Sequence, residues 1–197
     1  MKRENLDTLL KEIRACRICA PYLPLGPRPI IRASKTAKLL IAAQAPGIRV
    51  HETGLSFNDP SGDRLRAWLG IDRETFYDES RVAIVGMGFC FPGYTDSGAD
   101  KPPRRECAAT WHNRLDAALP RFALTLLVGT YSIAWYLGEQ RKENMTETVR
   151  AWREYGPARM PLPHPSWRNN AWLKKNPWFE KELLPDLRAR VRQALSL

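Results

Sequence analysis

The sequence predicts an α/β fold, a three-layer arrangement with a central parallel sheet of four strands. Short apolar runs that suit buried strands alternate along the chain with segments of helical periodicity. No internal repeat, low-complexity tract or long linker separates them. Because strands that alternate with helices favour parallel pairing, helices should cover both faces of the sheet. A length of 197 residues fits one unit, so we expect residues 1–197 to form a single domain.

Each element follows from a local pattern. The strands are predicted at residues 38–43, 81–88, 124–129 and 159–162. The helices are predicted at residues 4–15, 61–70, 104–119, 130–138, 146–154 and 179–195. The proline-rich segment 21–29 should be rigid and extended.

The charge of the chain limits its partners. Lys and Arg outnumber Asp and Glu by 31 to 21, which gives a net charge of +10. Such an excess favours a polyanionic partner such as nucleic acid, although a basic surface also serves solubility. No apolar run approaches the roughly 20 residues that span a bilayer, and the N-terminus lacks the apolar block of a secretory signal. We therefore expect a cytoplasmic protein that makes no membrane contact, and we expect a monomer.

The stretch 38–69 predicts a ligand site at the carboxyl edge of the sheet. Gln44-Ala45-Pro46-Gly47 ends the first strand, because Pro and Gly should stop both a strand and the start of an ordinary helix. A polar loop and a helix with Ser61 at its N-cap are predicted next. The loop should carry His51, Glu52, Phe57 and Asp59. A strand, a polar loop and a helix N-terminus in that order are typical of a ligand site.

Four cysteines form a second candidate site. Cys16 and Cys19 make a C-x2-C motif at the end of the first helix, and sixteen residues separate Cys90 from Cys107. In a cytosolic protein, thiols paired at turns favour a metal over disulfides. Four thiolates hold either tetrahedral zinc or an iron–sulfur cluster, and their spacing does not separate the two. The alternative interpretation is four unrelated cysteines. A metal site here would be structural, since no neighbouring residues suit redox chemistry.

Taken together, these motifs resemble the uracil-DNA glycosylase superfamily, in particular its iron–sulfur-containing family 4. The resemblance covers nearly the whole chain and depends on the order of its motifs. They are the C-x2-C, the Q/E-x-P-G loop at 44–47, the Gly-x-x-Phe at 54–57, Cys90, Cys107, Val128-Gly129 and His164-Pro165-Ser166. The resemblance implies a structural 4Fe-4S cluster on Cys16, Cys19, Cys90 and Cys107. It also implies a monofunctional glycosylase of base excision repair, which hydrolyses the N-glycosidic bond of uracil in DNA and leaves an abasic site.

The resemblance also implies roles for individual residues. His164 should donate a hydrogen bond to the uracil O2 as negative charge accumulates there, and Phe57 should stack on the flipped base. Gln44 and the backbone of Ala45 should line the base pocket. The expected DNA contacts are Pro46, Gly47, Ser61, Ser166, Trp167 and Arg168, with Trp167 or Arg168 as a minor-groove wedge. Without the resemblance, His164 would be a surface loop residue and Phe57 a core residue.

The catalytic acid departs from the family pattern. Family 1 enzymes place an Asp where this chain has Ala45. Family 4 typically has Glu at the position of Gln44 and an acidic pair at residues 50–51, which here are Val and His. Asp59 lies in an Asp-Pro-Ser-Gly-Asp segment that resembles a family 5 motif whose first Asp is assigned to water activation. We therefore prefer Asp59 to Glu52 as the acid.

The position expected to recognise the base also departs from the family pattern. Gly86 stands where family 4 usually has an Asn whose amide reads the uracil edge. A pocket without that amide discriminates less between bases, so we expect a relaxed preference that extends to hypoxanthine or other deaminated bases. The main alternative function is a non-catalytic module on the same fold that binds damaged DNA or another nucleic acid. A hydrolase of free nucleosides is a third possibility, which the net positive charge disfavours.

Overall fold

The sheet consists of four parallel strands in the spatial order β2-β1-β3-β4. The computed structural model describes residues 4–197, so the first three residues of the predicted domain lie outside the described part. The strands are β1 (Leu39–Ala43), β2 (Val82–Gly86), β3 (Leu124–Val128) and β4 (Arg159–Leu162). With helices flanking the sheet, this confirms the predicted α/β fold class and the four-stranded parallel sheet.

The helices occupy the connections between the strands. The α-helices are α1 (Leu6–Arg14), α2 (Ile48–Thr53), α3 (Pro60–Leu69), α4 (Arg73–Tyr77), α5 (Arg105–Cys107), α6 (Asn113–Ala118), α7 (Thr130–Leu137), α8 (Met145–Arg150), α9 (Asn170–Lys175) and α10 (Leu184–Leu195). A π-helical turn, Ala108–His112, joins α5 to α6, so the predicted helix at 104–119 is nearly continuous. Another π-helical turn, Phe179–Leu183, leads into α10. Within residues 4–197, no helix has both the length and the apolar character needed to cross a membrane.

The apolar pattern of the strands follows from their position between two helical layers. All five residues of β1 are buried, because a parallel strand covered on both faces needs no polar side. Helices α7 and α10 pack on the central strands, and α10 also packs on α3. The apolar face of α1 joins the same contiguous core through Leu6, Leu9, Leu10 and Ile13.

The connection after β1 differs from its prediction. The segment 48–53, predicted as loop, is the short helix α2, which begins directly after its N-cap Gly47 and ends at Gly54 in a left-handed conformation. Pro46 lies between the strand and the helix, and Gly47 is an acceptable N-cap. Neither residue therefore prevents the helix. Six residues are too few for a helical period to emerge in the sequence. The same reason explains why α4 and α9 were not predicted.

The start of α3 also differs. Asp59, not Ser61, is the N-cap, and its Oδ1 accepts the Gly62 N–H at 2.9 Å. Pro60 follows at the first helical position, where its missing N–H costs nothing and its φ suits the helix. The carboxyl of Asp59 is therefore held at the edge of the sheet by the helix it caps.

The strand order places a topological switch point between β1 and β3. From β1 the chain passes to β2 on one side, and from β3 it passes to β4 on the other. Ligands of open α/β sheets bind in the crevice beyond such a point, at the carboxyl ends of the strands. The loops that follow the strands meet at this edge.

Candidate active site

A cavity of about 440 Å³ opens at the carboxyl edge of the sheet. Loops that follow β1, β2 and β4 supply its wall, together with the first turn of α3. Apart from His51, Glu52 and the four cysteines, every residue proposed for the site from the sequence lines this cavity. Those residues are Gln44, Ala45, Pro46, Gly47, Phe57, Asp59, Ser61, Gly86, His164, Ser166, Trp167 and Arg168. The structure thus brings together residues that lie up to 124 positions apart in the sequence.

Glu52 does not line the cavity. It is an exposed residue of α2, and its backbone carbonyl accepts a hydrogen bond from Arg28 Nη1 at 3.0 Å. The neighbouring His51 ring faces Phe91, with 6.3 Å between ring centroids. Of the two acids considered from the sequence, only Asp59 lies at the cavity.

Two hydrogen bonds position His164 and select its tautomer. The Ser166 N–H donates to His164 Nδ1 at 3.2 Å, and Asn169 Nδ2 donates to the His164 carbonyl at 2.7 Å. Because Nδ1 accepts, the neutral ring carries its proton on Nε2. Burial lowers the pKa of His164, while the negative charge of Asp59 acts in the opposite direction. His164 is therefore a neutral hydrogen-bond donor near pH 7.

Phe57 lies in the cavity wall with a strained backbone. Its φ of 56° is in the left-handed region, which non-glycine residues seldom adopt. Its carbonyl accepts hydrogen bonds from Tyr77 Oη at 3.1 Å and Arg66 Nη1 at 3.3 Å. A Cβ at Gly62 would lie 1.7 Å from the same carbonyl oxygen, so only glycine fits there. The Phe57 ring packs edge-on against Phe76 with 6.1 Å between centroids.

Small residues make room at the inner end of the cavity. A Cβ at Gly86 would lie 2.6 Å from the carbonyl oxygen of Gly88, which excludes a larger residue unless the backbone shifts. An Asn at position 86 is therefore incompatible with this conformation of the strand end. Ala43 and Ala45 also line the cavity and add to its width.

The rim of the cavity is positively charged. Arg49, Arg64 and Arg168 all line it, and Arg64 Nη1 donates to the Ser166 carbonyl at 3.1 Å. Trp167 is 69% exposed, and the Arg168 guanidinium lies 5.1 Å from the centre of its ring. An exposed aromatic side chain among arginines suits a nucleic acid partner.

Sequence reasoning missed the cavity residues at the tip of the loop after β2. Tyr94, Gly98 and Asp100 all line the cavity. The topology alone pointed to them, because loops after neighbouring parallel strands open at the same edge. In the sequence itself, only the cysteines distinguish this segment.

The four cysteines line a second, smaller cavity. Cys16, Cys19, Cys90 and Cys107 all contribute to it, and all are free thiols. Burial raises the pKa of Cys90 to about 11 and the pKa of Cys107 to about 12. Among residues 4–197, no group of three or more His, Cys, Asp or Glu side chains has the geometry to hold a metal ion.

A comparison with known protein families identifies the chain. The model of the Uracil DNA glycosylase superfamily matches residues 32–188, which is well over half of the sequence. The matched range contains the whole sheet and all the residues that line the cavity at its carboxyl edge except Ile30, together with Cys90 and Cys107. The chain therefore belongs to the uracil DNA glycosylase superfamily, whose members are hydrolases that act on DNA.

Proposed function

We propose that this protein is a monofunctional DNA glycosylase that hydrolyses the N-glycosidic bond of uracil in DNA and leaves an abasic site for base excision repair. One observation carries the proposal: Gln44, Phe57, Asp59 and His164 line a single cavity at the carboxyl edge of the sheet. Superfamily membership supports glycosylase activity on DNA in general. The specificity for uracil and the role in base excision repair go beyond superfamily membership and are our proposal.

The cavity suits a base that has been flipped out of the duplex. Its volume of about 440 Å³ lies within the roughly 300–1,000 Å³ of small-molecule sites. Phe57 offers an aromatic face for stacking, and the Gln44 amide offers both a donor and an acceptor for the edge of the base. The backbone of Ala45 extends this edge of the pocket.

The proposed reaction uses His164 and Asp59 on opposite sides of the glycosidic bond. The bond between C1′ and N1 breaks, and its electron pair moves into the uracil ring. His164 donates its Nε2–H to O2 and stabilises the developing anion. A neutral donor held in one orientation suits this role, because it needs no rearrangement as the charge develops. The oxygen of a water molecule bonds to C1′, and Asp59 accepts the proton that this water loses.

The rim provides the proposed contacts to DNA. Arg64 and Arg168 would bind backbone phosphates, with the hydroxyls of Ser61 and Ser166 and the tight Pro46-Gly47 turn beside them. The exposed Trp167, or Arg168 beside it, would fill the space that the flipped base leaves in the helix.

The preference for uracil is proposed to be relaxed. Gly86 supplies no side-chain amide, and its contact with Gly88 leaves no space for one. A site that makes fewer hydrogen bonds to a base rejects other bases less strongly. Single-turnover assays on duplexes with one uracil, hypoxanthine or xanthine test this, and activity confined to uracil would contradict it.

We further propose that Cys16, Cys19, Cys90 and Cys107 hold a 4Fe-4S cluster. Four free thiols around one cavity match the ligand set of such a cluster. Each cysteine of a cluster binds a different iron atom, so the thiols need not converge on one point as they must for a single zinc ion. Arg104 lies against Cys19, and Arg17 acts on Cys90, so positive charge is close to the thiolates that a cluster requires.

The proposed role of the cluster is structural. It would supply covalent cross-links between the segment after α1, which carries Cys16 and Cys19, and the segments that carry Cys90 and Cys107. Gly88 lines both cavities, two residues before Cys90, so bracing the loop after β2 also fixes one wall of the larger cavity.

The test of the proposed function is product analysis under single-turnover conditions. Anaerobically purified protein is mixed with a labelled duplex that contains one U:G pair, and free uracil and abasic sites are quantified together. We expect equal amounts of both products and much slower release from free deoxyuridine. Tight binding to the duplex without release of any base would instead support the nucleic-acid-binding module.

A further inference from the structure

The loop after β2 forms a small hairpin that faces the larger cavity. Tyr94 and Asp100 form an antiparallel bridge, and we call residues 94–100 the 94–100 hairpin. The Thr95 N–H donates to the Ala99 carbonyl at 2.7 Å, and the Lys101 N–H donates to the Gly93 carbonyl at 2.8 Å. The Thr95 hydroxyl accepts the Ala99 N–H at 3.1 Å. These bonds give the short loop a defined shape.

The hairpin is attached to the loops on both sides of the cavity. A Cβ at Gly47 would lie 3.6 Å from Asp100 Oδ2, so this carboxyl lies against the turn that follows β1. Arg168 Nη2 donates to the Gly98 carbonyl at 3.4 Å, which connects the hairpin to the loop after β4. Asp100 therefore reaches the cavity from a third loop, between the two that carry Gln44 and His164.

The charge of Asp100 is coupled to that of Asp59. Partial burial of its carboxyl and the negative charge of Asp59 raise the pKa of Asp100, while Arg168 lowers it. Asp59 also acts on His164. Asp59, Asp100 and His164 also line the same cavity, so all three face the space that a substrate would occupy.

We propose that Asp100 is a second catalytic carboxylate, which acts with Asp59 on the sugar of the flipped nucleotide. This inference rests on the proposed function. Asp59 and His164 are both half-buried in the cavity wall, whereas Asp100 lies at the exposed rim. With the base beside His164, we place the deoxyribose toward the rim, within reach of Asp59 and Asp100.

The chemistry of the sugar explains what Asp100 would do. As the bond between C1′ and N1 breaks, its electron pair leaves with the base, and positive charge develops on the sugar. Ionised Asp100 stabilises that charge and accepts a hydrogen bond from the attacking water. The proton that the water loses goes to Asp59, so Asp100 ends the step in its starting state.

A role in binding DNA does not explain Asp100. The carboxylate lines the same cavity as arginines that would contact phosphates, and a negative charge there opposes phosphate binding. Removing the charge should therefore leave the affinity for DNA unchanged or increase it. A purely structural role would lower affinity and rate together, so the two measurements separate the explanations.

The experiment compares Asp100→Asn with Asp96→Asn in single-turnover cleavage of the U:G duplex and in equilibrium binding to it. Asp96 is an exposed residue of the same hairpin that does not line the cavity, which makes it the matched control. We expect Asp100→Asn to lower the rate constant by at least about 10-fold with unchanged or tighter binding, and Asp96→Asn to match the parent.

Three results would overturn the inference. A rate for Asp100→Asn equal to that of the parent would remove Asp100 from the reaction while leaving the proposed function intact. A loss of rate with an equal loss of affinity would assign it a structural role instead. A parent that releases no base from any duplex would refute the proposed function, and the role of Asp100 with it.

Discussion

The candidate active-site cavity and the cysteine-lined cavity share Gly88 but differ in composition. The larger one is lined by a histidine, two aspartates, arginines and serines, together with an aromatic residue whose backbone is strained. The smaller one is lined by four thiols among mainly apolar neighbours, with Arg104 as its one charged residue in the described part of the chain. The larger cavity presents groups that can transfer protons and form hydrogen bonds. The smaller cavity presents thiols, which can act as metal ligands.

The two cavities form for different structural reasons. The larger cavity draws on loops that any parallel sheet brings to one edge, so its polar groups meet because of topology. The smaller cavity joins the segment after α1 to the segment after β2, which no strand pairing requires. We infer that the first cavity performs chemistry and the second holds the chain together. Substitutions in the two should therefore affect different measurements.

The largest effect is expected from Cys90→Ser. If the cysteines hold a cluster, this change removes a ligand, and loss of a metal site is among the few single changes that exceed about 4 kcal/mol. Iron and sulfide content should fall with the free energy of unfolding. The control is Ala109→Ser, an exposed position on the adjacent helical turn. An iron-free parent, as stable as Cys90→Ser, would contradict the cluster.

His164→Ala should affect the rate and leave the fold intact. Loss of the donor to the uracil anion is expected to lower the single-turnover rate ~10²–10³-fold, about 3–4 kcal/mol, because oxyanion donors contribute that much elsewhere. Affinity for the U:G duplex should change little. His51→Ala is the matched control, because His51 does not line the cavity. Equal rates for the two variants would refute the assignment of His164.

Gly62→Ala tests the strain at Phe57. A methyl group would meet the Phe57 carbonyl oxygen at 1.7 Å, so the turn must move and the free energy of unfolding should fall by roughly 1–3 kcal/mol. The rate should fall as well, because Phe57 would lose its position. Ala67→Ser, at an exposed site on the same helix, serves as the control in urea unfolding. A variant as stable and as active as the parent would show that this contact is unimportant.

The smallest effect concerns pH. Burial lowers the pKa of both His112 and His164 from the ordinary value of 6.5, so the folded protein binds fewer protons than the unfolded chain below that pH. The free energy of unfolding should therefore be highest above pH 6.5 and fall as the pH drops toward the lowered values. Urea unfolding at a series of pH values checks this. His112→Phe should weaken the dependence, and an unchanged profile would exclude a contribution from His112.

The fold was predictable because its strands are continuous apolar runs. All four predicted strands are present, and their ends lie within two residues of the predicted ends. The apolar runs of β1 to β3 are too short for helices and are buried as strands of the sheet. The short helices were not predictable in the same way. Helix α2 has only one buried residue, Val50, so its sequence contains no periodic pattern to detect.

The site was predictable where a motif supplied several neighbours at once. The turn 44–47 and the segment 164–168 line one cavity, as expected for loops at the same edge of the sheet. The capping role of Asp59 was missed because Ser61 and Asp59 are both good caps, and only the structure shows which N–H each one meets. Asp100 was missed because nothing in its local sequence marks it, and only the folded structure brings it against Gly47 at the cavity.

The most direct test of the central claim is the single-turnover rate of Asp59→Asn on the U:G duplex, beside Glu52→Gln. Asn caps a helix as well as Asp does, so this variant keeps the Gly62 hydrogen bond and removes only the charge. We predict a loss on the order of 10²–10⁴-fold for Asp59→Asn and a rate equal to that of the parent for Glu52→Gln. An Asp59→Asn variant as fast as the parent would contradict the account, because the larger cavity would then lack the acid on which its chemistry depends.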